Sequence, residues 1–510
     1  MNISPDRLAA LMDGPFEALA ETVRKAEKAI QMGGGTLAPP DCLRQYDPYA
    51  HAVNDPSRRP DRQLELEGGG HAEARVNRLQ LARQRQIVQA ALHFECGDGM
   101  ELAHTGTDPA ERELFALIER TWRDCKLHFG TEDIVERRLV ETICAELWYE
   151  YPSPGHWDGT PLEGRTDMRP GWMLLCGRNG DSLYPLWDLH GQLAALGRGY
   201  RTEDPLTGEK EERFDLYAPH RSLHGRRGDA GQWEVEERPG MGFLPVVLHE
   251  QERPEWAEVQ PLAEREEANL SNLADTNDYY GDPAMVVEGE AESLPAKGEV
   301  AKVIQVRPGP DGGRGSVSFA QPDAMVESKR LEMDTLRREM LDLTLTPDLG
   351  FSTMASLMGS GTSGIALRLL FMGPVMKGRR AQKRLMEMLT RRNNVIRKML
   401  ARHWPERYGG LEVVPEVRIK EALPVDRGEL VRDVAAMVQA GLLSRRTAME
   451  RLGADPDAEM ERMRVENGEL GAENGNTSTN QLNTINNKNN DRSNKSNSND
   501  SAGRRDAKGA

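Results

Sequence analysis

Gly359-Ser360-Gly361-Thr362-Ser363-Gly364 is a literal GxGxxG, the spacing of a dinucleotide cradle. That chemistry needs a buried strand ahead of the glycines and an acidic residue roughly 20 positions beyond them. Ahead lies the loop-like stretch Asp348–Met358, and downstream stand Arg379 and Arg380 instead of an acid. A flexible loop feeding a helix accounts for these residues better than a nucleotide site. Ser363 is not framed as GxSxG, and neither GxxxxGKS nor GxxxxGKT occurs, which argues against an ATP-driven motor. There is no HExxH and no paired His/Cys cluster. His220 and His224, four apart in a polar stretch, read as solvated histidines, and the carboxylates read as scattered along wet faces. No catalytic residue, cofactor or metal ligand is therefore expected. A cofactor-binding enzyme built on Gly359–Gly364 stays as an alternative.

The most informative charges lie on one predicted helix. Residues 365–403 carry eleven Lys or Arg and a single acid, Glu387, a balance of +10. The whole chain is −16, so the remainder is −26. Such a helix could face DNA phosphates, meet an acidic surface on a neighbouring copy, or be a plain wet face; the acidic remainder favours the neighbouring copy. Arg379, Arg380, Lys383, Arg384 and Arg391 are the candidate contact residues. Residues 434–452 loosely suggest a helix-turn-helix with Arg445, Arg446 and Arg451 on its second helix, an alternative DNA-binding regulator. The acids Asp455, Asp457, Glu459, Glu461 and Glu466 that follow weaken it.

These features need elements to hold them. The 510 residues are enough for roughly three domains at about 150 each. With 38% hydrophobic and 29% charged residues, a core is affordable under a wet surface. The net acidity speaks against a protein that grips DNA, though not against one that DNA slides past. Cys42, Cys96, Cys125, Cys144 and Cys176 are odd in number and widely spaced, so reduced thiols in a cytosolic setting are expected. The N-terminus does not read as a signal peptide, and no apolar run approaches the ~20 residues of a membrane span.

Along the chain, residues 1–110 look polar and irregular, with helical pieces near 16–31 and 72–94 and loops at Gly33–Gly35 and Gly68–Gly70. Two helices are expected over 110–150, the second carrying Ile134, Leu139, Ile143 and Leu147. Short apolar runs between Gly, Pro and Asp clusters predict a small β region over 171–250. Pro261 opens a helix to about Tyr280. Candidate strands follow at 284–287, 300–306 and 316–319. A second helix runs from about Asp323 to Leu345, striped by Met333, Leu336, Met340 and Leu343. After the loop 348–364 comes the longest helix, 365–403, which Gly373-Pro374 should kink. Ala381, Leu385, Leu389, Ile396 and Leu400 form its stripe. A β segment at 411–419 leads to a helical unit at 424–467, with Gly441 and Gly453 closing helices and Ser444 and Asp455 as caps. The Asn/Ser/Lys-rich stretch 471–510 should be disordered.

Five motifs in this order resemble the portal, or head-to-tail connector, proteins of tailed double-stranded DNA phages, the long-tailed class in particular. They are Phe243-Leu244-Pro245-Val246-Val247; Leu270-Ser271-Asn272-Leu273-Ala274-Asp275 with Asp278; Pro283 to Gly289; Ser363-Gly364-Ile365-Ala366-Leu367; and Leu423-Pro424 through Gly441-Leu442-Leu443-Ser444, Thr447 and Asp455 to Glu466. The resemblance covers about residues 110–467.

It implies an α+β portal-type subunit with an N-terminal extension at 1–110 and a mixed wing at 111–259. Stem helix 1 at 260–281, a small β clip at 282–320 and stem helix 2 at 321–346 come next. A tunnel loop at 347–364 leads to the wing's long kinked helix and β segment at 365–423, the helical crown at 424–470 and a tail at 471–510. It further implies a ring of about twelve copies at a capsid vertex, in the virion and assembled in host cytoplasm. Double-stranded DNA would pass through it; its partners would be the terminase motor, scaffold and capsid proteins and a head–tail adaptor, with no membrane. Ser352, Thr353, Met354, Ser356, Met358, Ser360 and Thr362 would face the DNA. Glu288, Lys297, Lys302, Arg307 and Arg314 would mark the clip's docking surface.

Overall fold

A computed structural model describes residues 3–25, 30–32, 35–37, 39–66, 70–228, 231–280, 284–288, 290–293, 305–307, 316–320, 326–348, 350, 369, 371–420 and 427–465. The chain divides into two units, Met1–Leu423 and Pro424–Ala510.

The larger unit is built on two antiparallel sheets and a helical layer. Strands Ser182–Trp187, Leu193–Glu203, Lys210–Tyr217, Arg221–Arg227 and Trp233–Pro239 form a five-stranded meander. Leu193–Glu203 has no counterpart among the apolar runs singled out in the sequence. The second sheet has three strands, with Ile143–Pro152 between Val246–Glu250 and Met168–Leu175. Its central strand corrects an expectation. The spacing of Ile143 and Leu147 predicts a helix, but the helix Leu127–Glu141 stops at Thr142, whose φ of 68° is left-handed. From there Ile143, Ala145 and Leu147 point to one core and Cys144, Glu146 and Trp148 to the other side. The period is two, and both faces are buried, so no polar residue marks the alternation until Glu146.

The main core lies where Arg83–Cys96, Pro109–Asp124, Leu127–Glu141 and the long helix Met372–His403 meet, around Trp122, Trp148, Trp157, Trp256 and Tyr408. Asp108 caps the second of these helices by accepting from the Ala110 amide at 2.8 Å, with Pro109 at the first position. The long helix approaches Arg83–Cys96 closely at Gly378, where a Cβ would come within 2.5 Å of the Phe94 carbonyl oxygen. The stripe Leu385, Leu389, Ile396 and Leu400 is buried as its spacing predicts. The described helix starts at Met372, so Pro374 lies in the first turn, where its missing N–H costs nothing.

The N-terminal residues are more ordered than their composition suggests. Pro5–Met12 and Phe16–Arg24 pack on one face of the five-stranded sheet. Ile30–Met32 is a strand rather than the end of a helix, and Gly70–Ala74 pairs with Arg62–Leu66 where the sequence suggested helix over 72–94. Helix Gln260–Tyr280 packs along helix Val326–Leu343. Between them in sequence, Ala284–Glu288 pairs with Ser316–Ala320 and Glu290–Ser293 with Gln305–Arg307. Glu416–Ile419 pairs with Met100–Ala103.

In the smaller unit, Arg427–Gln439, Arg445–Arg451 and residues 456–465 are helical. Ser444 accepts from the Thr447 amide at 3.1 Å, and Asp455 from the Asp457 amide at 3.0 Å, as their positions predicted. Gly441 and Gly453 take φ of 72° and 81°, the left-handed values that close helices.

Candidate functional site

The cations of the long helix divide into two sets. Arg392 is inside. Its Nε and Nη2 donate to Glu146 at 2.9 and 2.8 Å, and its Nη1 donates to Thr131 Oγ1 at 2.7 Å. His249 Nε2 lies 2.8 Å from the same carboxylate and Trp148 Nε1 donates to it at 3.0 Å. Next to Arg392, Asn393 accepts from Trp122 Nε1 at 2.7 Å. Burial by itself would raise the Glu146 carboxyl, but the Arg392 guanidinium and His249 overrule it and hold it at about 2. Burial keeps His249 below its ordinary value. Two strands, helix Leu127–Glu141 and the long helix are thus pinned at one point, which fixes the rotation of the long helix. Nothing in the sequence separated Arg392 from the other cations except its place one turn after Leu389.

That rotation turns Arg379, Arg380, Lys383, Arg384 and Arg391 outward, and all five are exposed. Arg391 donates to Glu387 at 2.7 Å. Arg380 and Lys383 make no hydrogen bond or ion pair with any described residue. Below them, Lys377 donates to the Thr344 carbonyl and pairs with Glu255, tying the start of the long helix to the end of Val326–Leu343. Leu343, Leu345, Met372 and Met376 are exposed around this junction, beside a cleft of about 580 Å³ lined by Arg337, Arg338, Leu341 and Pro374.

The helix Gln260–Tyr280 is clamped by the N-terminal part of the chain. Backbone amides of Asn77, Leu79 and Leu81 donate to Asp275, Ser271 and Glu267 at 2.7, 2.9 and 2.7 Å. An extended chain advances about 6.7 Å per two residues and a helix about 6 Å per four, so the two registers stay matched. Arg59 donates to Asp275 at 2.5 Å and Arg83 to Glu266 at 2.6 Å. His51 Nδ1 sits 2.6 Å from Glu267, both buried. Burial pulls His51 down, but the hydrogen bond and charge of Glu267 carry it above its ordinary value. These partners are not legible in the sequence, where the carboxylates look wet and the first hundred residues irregular.

The remaining sequence-derived sites are placed only in part. Ser352, Thr353, Met354, Ser356, Met358, Ser360 and Thr362 lie outside the described residues, as do Lys297, Lys302 and Arg314. Glu288 ends a strand opposite Ser316, and Arg307 pairs in register with Glu290. His224 is not a solvated loop residue; it lies on strand Arg221–Arg227, 3.1 Å from Asp215. In the smaller unit Arg446 is tied to Asp457 at 2.9 Å. No group of His, Cys, Asp and Glu able to hold a metal occurs among the described residues, and no described helix is long and apolar enough to cross a membrane.

A sheet-and-helix body, a helix pair flanking short strand pairs and a long basic helix follow one another along the chain. The chain belongs to the phage portal protein family, SPP1 Gp6-like, whose model matches residues 177–471. Among solved structures it is similar to a chain in the neck of an empty gene transfer agent particle computed with C6 symmetry. The TM-score is 0.35 at 14% identity, covering 73% of this chain and 90% of that one. A chain in the neck of the native particle computed with C12 symmetry gives 0.33 at 13%, covering 73% and 89%. One in the native gene transfer agent virion gives 0.32 at 11%, with the same coverage. No curated protein matches the chain.

Proposed function

We propose that this portal protein assembles into a closed ring of about twelve copies at one capsid vertex and passes double-stranded DNA into the head and out through the tail. The observation that carries the reading is the portal-family match over residues 177–471. Residues 260–281 and 321–346 act as the stem, 282–320 as the clip, 347–364 as the tunnel loop and 424–470 as the crown. Glu288, Arg307 and their neighbours on the clip meet the terminase motor and later the head–tail adaptor; scaffold and capsid proteins surround the body. The exposed Arg380, Lys383 and Arg384, next to Leu343, Leu345, Met372 and Met376, meet an acidic face of the next copy. An exposed cationic ridge beside exposed apolar groups supports a protein contact better than a solvated helix. The acidic remainder of the chain repels phosphates and keeps a moving duplex from sticking.

Negative-stain imaging and light scattering of the purified chain test this. Closed rings with a central hole wide enough for a duplex are expected. Monomers alone at high concentration would overturn it.

A further inference from the structure

The five-stranded sheet is covered unevenly. One face carries the helices Pro5–Met12 and Phe16–Arg24, with Leu19 and Val23 against Phe214 and Leu216. On the other face Leu183, Leu196 and Tyr217 pack against the three-stranded sheet. The outer part of that second face is open and forms a cleft of about 630 Å³. Its strand register lines up polar side chains in rows. Glu236, His224, Asp215 and Arg198 stand opposite one another across four strands, and Arg238, Ser222 and Tyr217 form the next row.

Three of these residues connect in a specific order. Ser222 Oγ lies 3.0 Å from His224 Nε2, and His224 Nδ1 lies 3.1 Å from Asp215 Oδ1. The Tyr217 hydroxyl donates to the other oxygen, Asp215 Oδ2, at 3.0 Å. An ionised carboxylate only accepts, so Asp215 draws the proton to Nδ1 and leaves the Nε2 lone pair facing the serine hydroxyl. Asp215 is 5% exposed and His224 22%, so the orienting acid is shielded while the imidazole reaches the cleft. A hydroxyl, a base within hydrogen-bond reach and a third group that fixes the base is the arrangement that activates a serine. Arg238, the cross-strand neighbour of Ser222, spends its Nε and Nη2 on Glu236 at 2.7 and 3.0 Å, and its Nη1 makes no hydrogen bond with a described residue.

We propose that Ser222, His224 and Asp215 form a nucleophilic site that accepts the acyl group of an activated carboxylic ester. Ser222 Oγ attacks the ester carbonyl carbon while its proton passes to His224 Nε2. Arg238 faces the oxyanion. The bond from carbon to the leaving oxygen breaks, and the alkoxide takes the proton from His224. Water, deprotonated by His224, then releases the carboxylic acid and restores the serine. The cleft is lined by His224 and Asp215 and by Tyr217 and Arg238, the cross-strand neighbours of Ser222; its arginines, Arg198, Arg213, Arg226 and Arg238, suit an acyl group that carries a negative charge.

Treating the intact chain with a fluorophosphonate probe and mapping the adduct by peptide mass spectrometry tests the site. In that reaction the serine oxygen bonds to phosphorus and fluoride leaves. Labelling at Ser222 is expected, together with a burst of p-nitrophenolate from p-nitrophenyl acetate close to one per chain. Ser222→Ala should abolish both with its melting temperature unchanged, and His224→Gln should slow them by about tenfold or more. Absence of label on Ser222 in the wild-type protein overturns the proposal, whatever the variants do. So does an ester burst that survives in Ser222→Ala.

Discussion

Arg392 carries the sharpest test of how the body is held together. Among the described residues its ion pair is with Glu146, and Thr131 and His249 complete the network. Removing one member of a buried pair strands the other, at a cost of about 3–5 kcal/mol. Arg392→Met should therefore lower the melting temperature sharply in calorimetry, whereas Arg392→Met combined with Glu146→Leu should recover most of the loss. The acid response follows from the same network. The Glu146 carboxyl is depressed from 4.5 to about 2, so its contribution to stability is complete above about 4.5 and disappears as pH falls through about 2. His249, held below its ordinary 6.5, resists protonation and adds a penalty once pH drops under that value. Thermal denaturation followed at pH 7, 5 and 3 should show falling stability. Glu146→Gln, unable to ionise, should be less stable at pH 7 and lose less on acidification.

At the scale of elements, the segment 59–83 and helix Gln260–Tyr280 depend on each other. The segment has no sheet partner over 75–82, so its amides rely on Glu267, Ser271 and Asp275. The helix in turn has this face covered from within the chain and packs along helix Val326–Leu343. Asp275→Ala removes the acceptor shared by Arg59, Asn77 and, at 3.7 Å, Arg62. A loss of about 2–3 kcal/mol is expected, most of it as local opening. Limited trypsin digestion should then cut within 58–83 about tenfold faster than in the wild type. Equal digestion rates would mean the clamp does not hold the segment.

For the whole molecule, the relevant quantity is the segregated charge. In the proposed ring, the ridge of cations fixed outward by Arg392 would meet an acidic face, which the rest of the chain, at −26, would supply on another copy. Replacing Arg380, Lys383 and Arg384 together by Gln should reduce ring yield by roughly an order of magnitude at physiological salt, measured by size-exclusion chromatography with light scattering. Raising the salt should weaken wild-type rings in the same direction and leave the variant little changed. Ring yield untouched by the three changes would remove the long helix from the subunit contact.

The sequence by itself determined the family through its ordered motifs, and the helix caps, the turn glycines and the 3-4 stripe of Leu385, Leu389, Ile396 and Leu400 because these are local signals. Its misreadings came where locality fails. Ile143 and Leu147 have a spacing that a helix also satisfies, and only the partners on both sides of the strand made it a strand. Tertiary structure alone decided that Arg392 is buried among exposed cations, that Asp275 belongs to Arg59 and Asn77, and that Ser222, His224 and Asp215 meet. The physical reason is common to all three. A charged or hydroxylic side chain is written identically in the sequence whether water or a distant residue satisfies it, and these partners lie up to 246 positions apart.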